Sequence, residues 1–81
     1  MRVRKFIEDI EKMLPCSTIY YPREQQVVVF INVNNKYVTL CYDEAFIENN
    51  WDDVIFSVVE DDLFRAGIDV NIGRIWYDNT K

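Results

Sequence analysis

The feature that most constrains the fold is a pair of strand-like runs, "VVVFINV" at 27–33 and "KYVTLCY" at 36–42, joined by the dipeptide Asn34-Asn35. Asparagine tolerates positive φ, so this dipeptide suits the two-residue turn of a β-hairpin. With that turn, the cross-strand pairs on one face are Ile31–Val38, Val29–Leu40 and Val27–Tyr42. The pairs on the opposite face are Asn32–Tyr37, Phe30–Thr39 and Val28–Cys41. One apolar face and one mixed face predict an antiparallel sheet that is packed on one side.

A helix is predicted before the hairpin. In residues 2–14 the apolar side chains recur at helical spacing and form one stripe, whose members are Val3, Phe6, Ile7, Ile10, Met13 and Leu14. Pro15 ends this helix, because the residue before a proline is pushed out of the helical region. "STIYY" at 17–21 predicts the first strand, and "IDVNIGRIWY" at 68–77 predicts a fourth strand with a bulge at Gly73.

A second helical region follows the hairpin. "DEAFIEN" at 43–49 predicts a short helix, and Asn50 is expected to cap a longer helix that begins at the next residue. Asp62 would point into the apolar side of that longer helix, whereas Phe64 would point away from it. We therefore expect the helix to break near Asp61, with one aspartate capping a last short turn.

The predicted order of elements is α-β-β-β-α-β. This order describes an α+β fold, a two-layer sandwich in which an antiparallel meander carries the helices on one face. No repeat, linker or low-complexity tract divides the 81 residues, so we expect a single domain over 1–81.

The composition argues against catalysis. The chain has no histidine, which removes the commonest general base and the commonest metal ligand, and its two glycines cannot form a phosphate-binding loop. The segment Asp69-x-Asn71-x-Gly73 resembles the start of a calcium loop, but its glycine is one place early and position twelve is not Glu. We predict no enzyme activity and no catalytic, cofactor or metal site.

Two further features concern the cellular setting. Cys16 and Cys41 are too few for a disulfide scaffold, so we expect reduced thiols. The basic start of the chain is not followed by an apolar signal region, and no run approaches the roughly 20 apolar residues of a membrane span. The sequence predicts a cytoplasmic protein that does not bind a membrane.

The charge is concentrated in the second half of the chain. Net charge is −5, yet residues 43–81 carry ten acids against three bases, and no base lies between Asp43 and Phe64. One interpretation is a solvated helix face, because acids at a helix start are favoured by the helix dipole. The other is a surface that meets a basic protein, since Glu60, Asp61 and Asp62 lie near the helix end where the dipole favours Lys. The predicted partner-binding residues are Asp43, Glu44, Glu48, Asp52, Asp53, Glu60 and Asp61.

The order of elements also carries a resemblance. "KFIEDIEK" at the start and "INVNNKYVTLCYDEAFIENNW" from hairpin to acidic segment give helix, three strands and acidic helix. In order and charge this resembles small acidic phage-encoded anti-CRISPR proteins, some of which are DNA mimics that occupy the DNA-binding cleft of an effector nuclease. The resemblance implies a non-catalytic inhibitor or regulator, encoded by a phage or mobile element, whose acids contact Arg and Lys of a nucleic-acid-binding protein.

An alternative is a protein-interaction or homo-oligomerisation module that uses aromatic side chains on a sheet face. Its candidate residues are Tyr20, Phe30, Tyr37 and Trp76, of the residue types enriched at interface hot spots. Exposed aromatics can also stack on bases, but a net charge of −5 opposes contact with phosphates, so we expect no direct nucleic-acid binding. A homodimer is compatible with this alternative.

Overall fold

The computed structural model of the protein describes residues 2–72 and 74–75. The elements follow in the order α1 (Arg2–Met13), β1 (Cys16–Tyr21), β2 (Gln26–Val33), β3 (Lys36–Asp43), α2 (Glu44–Asn49) and α3 (Asp52–Arg65). This is the predicted α+β architecture, with a helix, three antiparallel strands in one sheet and then further helices. In the described part of the chain, no helix has both the length and the apolar character that a membrane crossing requires.

The sheet has the strand order β1-β2-β3, and every neighbouring pair is antiparallel. The register predicted for the β2–β3 hairpin is confirmed on both faces, including Val29 opposite Leu40 and Phe30 opposite Thr39. Asn34 and Asn35 have φ of 51° and 66°, as a tight hairpin turn with positive φ at both central residues requires. The alternation of side chains therefore fixes which face is packed.

The core lies between the helices and one face of the sheet. From β2 it takes Val27, Val29 and Ile31, which are almost fully buried. The helices add a larger apolar set, namely Val3, Phe6, Ile10, Ile47, Ile55, Phe56, Val59 and Leu63. The stripe predicted for the first helix is confirmed, because its members are buried or packed against this core.

Two expectations about the second helical region are wrong. α3 does not break near Asp61 but continues to Arg65, because the Asp62 carboxylate accepts a hydrogen bond from the Tyr42 hydroxyl at 2.8 Å. A polar group on the apolar side of the helix thus has a partner. Asn50 does not cap the start of α3, since its side-chain amide donates to the Phe46 carbonyl at 2.7 Å, at the end of α2.

A glycine follows the C-cap residue of α3. Gly67 has φ of +88°, and the amides of Gly67 and Ile68 donate to the carbonyls of Phe64 and Leu63 at 3.0 and 2.8 Å. This pair of bonds is the Schellman arrangement, which satisfies carbonyls that the helix end would leave unpaired. The Lys36 ammonium also donates to the Gly67 carbonyl at 2.7 Å, which ties the hairpin turn to the helix end.

The fourth strand predicted over 68–77 is not formed by the described residues of that range. Residues 68–71 have no regular structure and residues 72, 74 and 75 are helical, whereas 73, 76 and 77, with the expected bulge at Gly73, lie outside the described residues. Asn71 Oδ1 accepts from the Arg74 amide at 3.0 Å, as a helix N-cap does. Ile68 and Ile72 are buried four residues apart, a spacing that serves a helix as well as a strand.

Candidate functional site

One of the predicted contacts, Asp52, lies in an ion cluster at the start of α3. Its carboxylate is 3.3 Å from the Arg2 guanidinium and 2.8 Å from the Lys5 ammonium, and Lys5 also pairs with Asp9 at 2.9 Å. These two carboxylates, with the hydrogen bond to Asp52 first, raise the pKa of Lys5. Arg2 also lies 5.8 Å from the centre of the Trp51 ring. The charge of Asp52 is therefore balanced within the chain. Its ion pairs join α1 to α3.

Two more of the predicted contacts, Glu44 and Glu48, also have partners within the chain. Glu44 accepts a hydrogen bond from the Tyr20 hydroxyl, and this bond raises the pKa of Tyr20. Glu48 accepts from the backbone amide of Val3 at 3.3 Å, near the start of α1. Both acids thus connect α2 to neighbouring elements.

Glu60 and Asp61 lie together at a groove between α3 and the segment that follows it. This acidic groove has a volume of about 420 Å³ and is lined by Ser57, Glu60, Asp61, Phe64, Asp69, Val70 and Asn71. Glu60 Oε1 accepts a hydrogen bond from the Ile72 amide at 2.7 Å, so one carboxylate oxygen of Glu60 has a partner within the chain. Asp61 pairs with Arg65 at 3.0 Å, in an ion pair exposed to solvent on both sides.

Asp43 and Asp53 are both exposed, and neither lines the acidic groove. Asp43 lies in the sheet, whereas Asp53 lies on α3, the helix that carries Glu60 and Asp61. Asp43, at the end of β3, is 3.4 Å from the Gln26 side-chain amide. Asp53 accepts from the amide of Val54 at 2.9 Å and shares a helical stripe with Asp61, eight residues further along α3. At a rise of about 1.5 Å per residue these two acids are separated by roughly 12 Å along the helix axis. The seven predicted acids therefore do not form one continuous surface.

Five lining residues of the acidic groove were not among the predicted contacts, and two of them, Phe64 and Asp69, offer contacts that a basic group favours. Phe64 is 66 % exposed, and the helical projection that points it away from the core is the signal that marks it. Asp69 has no such signal, because the position of its segment depends on the turn at Gly67.

A second surface is formed by the outer sheet face, which we define as the face of β1–β3 opposite the helices. Its large side chains are Ile19, Tyr21, Val28, Phe30, Tyr37 and Cys41. Phe30 and Tyr37 lie on it as predicted, and Tyr37 is 79 % exposed. Tyr20 lies on the packed face instead, because alternation along β1 places it with Cys16. Trp76 is outside the described residues.

In the described part of the chain no three His, Cys, Asp or Glu side chains come together as metal ligands. The Cys16 thiol faces the Ile10 carbonyl at 3.6 Å, and burial raises its pKa to about 11, which opposes formation of the nucleophilic thiolate. No known protein family, curated protein or solved structure matches this chain.

Proposed function

We propose that this chain is a small non-catalytic binding protein that holds basic side chains of a protein partner in the acidic groove. The observation that carries the proposal is the position of Asp61 and Asp69 beside the exposed ring of Phe64 in one groove. Carboxylates bind guanidinium groups through paired, charge-assisted hydrogen bonds, and an aromatic face attracts the same cations. The groove thus offers two kinds of contact that both favour Arg or Lys.

The charge of the chain supports the same partner. A net charge of −5 attracts a basic surface at long range and speeds association at low salt. Arg65 pairs with the groove residue Asp61, and this exposed pair is of the kind that contributes little to stability. A partner's arginine can therefore replace Arg65 on Asp61 at small cost.

The spacing of the acids favours contact with individual basic side chains. Asp53 and Asp61 are roughly 12 Å apart along α3, whereas one DNA strand carries a charge about every 3.4 Å. We infer that the acids contact a few Arg or Lys residues and do not reproduce a full row of phosphates. The partner class that we propose is a basic nucleic-acid-binding protein such as a CRISPR effector nuclease, inhibited by a phage- or mobile-element-encoded chain.

Capture experiments test the proposal with matched variants. The immobilised chain is exposed to bacterial lysate at low and high salt, retained proteins are identified, and their affinity is then measured with purified material. We expect basic proteins that dissociate at high salt, and D61K/D69K should weaken binding by at least about tenfold, since each charge-assisted contact contributes on the order of 1.4 kcal/mol. Phe64→Ala should weaken binding without a change in charge.

The control is E8K/E24K, which makes the same change in net charge on exposed residues away from the acidic groove. If both double variants weaken binding equally, the attraction is nonspecific and the groove is not the site. Asp52, Glu44 and Glu48 are unsuitable for this test, because their partners within the chain couple them to stability.

A further inference from the structure

The outer sheet face carries exposed aromatic and aliphatic side chains among small polar ones, and the described structure does not cover it. Rows of side chains run across the three strands, such as Ser17–Phe30–Thr39 and Ile19–Val28–Cys41. Phe30 is 41 % exposed in the middle of the sheet, and no part of residues 2–72 and 74–75 packs over it. Contiguous exposed apolar surface of this kind marks an interaction site.

From this surface we infer that the protein forms a homodimer in which the outer sheet faces of two copies pack against each other. The inference is independent of the acidic groove, which lies on α3 and the segment after it. Two identical faces form an isologous interface. In such an interface, if one residue of the first copy contacts a second residue of its partner, the reverse contact is also made. Sheets packed in this way lie about 10 Å apart with their side chains interdigitated.

The charges of the face favour a second copy over other occupants. Within the described strands, its one formal charge is Asp43 at the end of a row, so it offers phosphates no cation and a basic protein little attraction. A face with a single formal charge and several exposed aromatic and aliphatic side chains fits a second copy of itself. The acids of α2 and α3 belong to the helix layer, so they would lie farther apart in the dimer than the roughly 10 Å between sheets and beyond the Debye length of about 8 Å.

The face has both a hollow and a protruding aromatic ring. An open hollow of about 260 Å³ lies beside Phe30 and Tyr37, and Ser17 and Thr39 are among its lining residues. Tyr37 also projects from the same face. In an isologous interface, an aromatic ring of each copy can enter the hollow of the other, so one contact forms twice.

The area of the face sets the expected strength. Strands about 4.8 Å apart with a rise of about 3.4 Å per residue give three strands of up to eight residues a flat footprint of roughly 14 by 27 Å. This footprint of roughly 380 Å² lies below the roughly 600 Å² per partner at which standard interfaces begin, in the range of weak and transient contacts. We therefore expect a weak dimer with a micromolar dissociation constant.

Sedimentation equilibrium from about 5 μM to about 500 μM tests the inference, because this range spans micromolar affinities. The mass should rise with concentration from 9.7 kDa toward twice that value. Phe30→Thr keeps a residue suited to strands and should stay at the monomer mass. Phe64→Ser, which removes an exposed aromatic from the helix layer, is the matched control and should dimerise like the parent.

Alkylation of Cys41 identifies the surface that is used. This thiol is exposed on the outer sheet face, whereas the half-buried Cys16 reacts slowly and serves as the internal reference. Modification of Cys41 should slow severalfold as the parent dimerises, and it should stay fast in Phe30→Thr at every concentration. A parent that stays monomeric, or a dimer in which Cys41 stays reactive because strand edges pair instead, overturns the inference. Protection of Cys41 in a monomer would place part of the same chain on the face and would overturn it as well.

Discussion

Substitution of Tyr42 by Phe tests how the sheet is joined to α3. The Tyr42 hydroxyl donates to Asp62 at 2.8 Å, while its ring packs edge-on against Phe6 at 6.1 Å and stacks on Phe46 at 5.9 Å. Phenylalanine keeps both ring contacts and removes the hydrogen bond alone. The effect of the substitution therefore measures the bond rather than the packing.

The expected loss follows from the charge and exposure of Asp62. A hydrogen bond to a charged group contributes about 1.5–3 kcal/mol, and removing one partner leaves the other desolvated. Asp62 is half-buried, so water can reach part of the freed carboxylate and the loss falls at the lower end. We expect Tyr42→Phe to lower the free energy of unfolding by about 1.5 kcal/mol, or the melting temperature by roughly 6–12 °C for a domain of this size.

The pH dependence supplies a second readout of the same group. Burial, followed by the bond to Asp62, raises the pKa of Tyr42 above its ordinary value, so the folded state holds this proton more tightly than the unfolded state. The resulting stability is fully present below about pH 10 and is lost as pH rises beyond it, by about 1.4 kcal/mol per unit. Tyr42→Phe lacks this ionisable group. Its free energy of unfolding should therefore fall less steeply with rising pH, by the contribution of one bound proton.

Urea unfolding followed by far-ultraviolet circular dichroism measures both effects, at pH 7 and at several values above pH 10. The slope of the free energy against urea should match between parent and variant, because the same surface is exposed. A loss below about 0.5 kcal/mol at pH 7, or parallel alkaline profiles for the two proteins, would refute the assignment of a stabilising bond to this pair.

Two further substitutions test the ends of α3. Asp52→Asn should lower the free energy of unfolding by about 1 kcal/mol at low salt and by less at 1 M NaCl, because its pairs with Arg2 and Lys5 are partly exposed and screened. Urea unfolding at both salt concentrations measures this loss, and a loss that does not depend on salt would contradict the reasoning. Gly67→Ala should lower the melting temperature through a loss of about 1–2 kcal/mol, since φ is +88° and the new Cβ would lie 3.1 Å from the Lys36 ammonium. Gly67→Asn, which tolerates positive φ, is its control and should lose less in the same thermal melts.

The hairpin could be predicted from the sequence because one constraint acts twice. Alternation must place apolar residues on the packed face of both strands, and a two-residue turn at Asn34 and Asn35 leaves a single register that does so. The first helix could be predicted equally well, because its apolar stripe is uninterrupted and Pro15 follows its last member. Local pattern is sufficient where each residue's face is decided by its neighbours.

The errors arise where the deciding partner is distant in sequence. Asp62 implied a broken helix because Tyr42, which satisfies it, lies 20 positions earlier. Ile68 and Ile72 fit alternation and helical spacing equally well, and side-chain bonds to the amides of Ile72 and Arg74 decide against a strand.

The acids that were grouped by proximity in sequence are separated in the same way. Asp52 pairs with Arg2 across 50 positions, and Glu48 reaches Val3 across 45. Their partners could not be read from the acidic run itself, so three-dimensional structure was needed to tell tethered acids from free ones.

The contacts between α1 and the region around α3 have a consequence for the order of folding. The hairpin closes with a two-residue loop, whereas the bonds from Lys5 to Asp52 and from Val3 to Glu48 close loops of 47 and 45 residues. Loop closure opposes folding more as the loop lengthens, so local pairs form early and these distant ones form late. The loss predicted for Asp52→Asn should therefore appear as faster unfolding with an unchanged folding rate. We therefore expect the ion cluster at the start of α3 to form late in folding and to slow the unfolding of the folded chain.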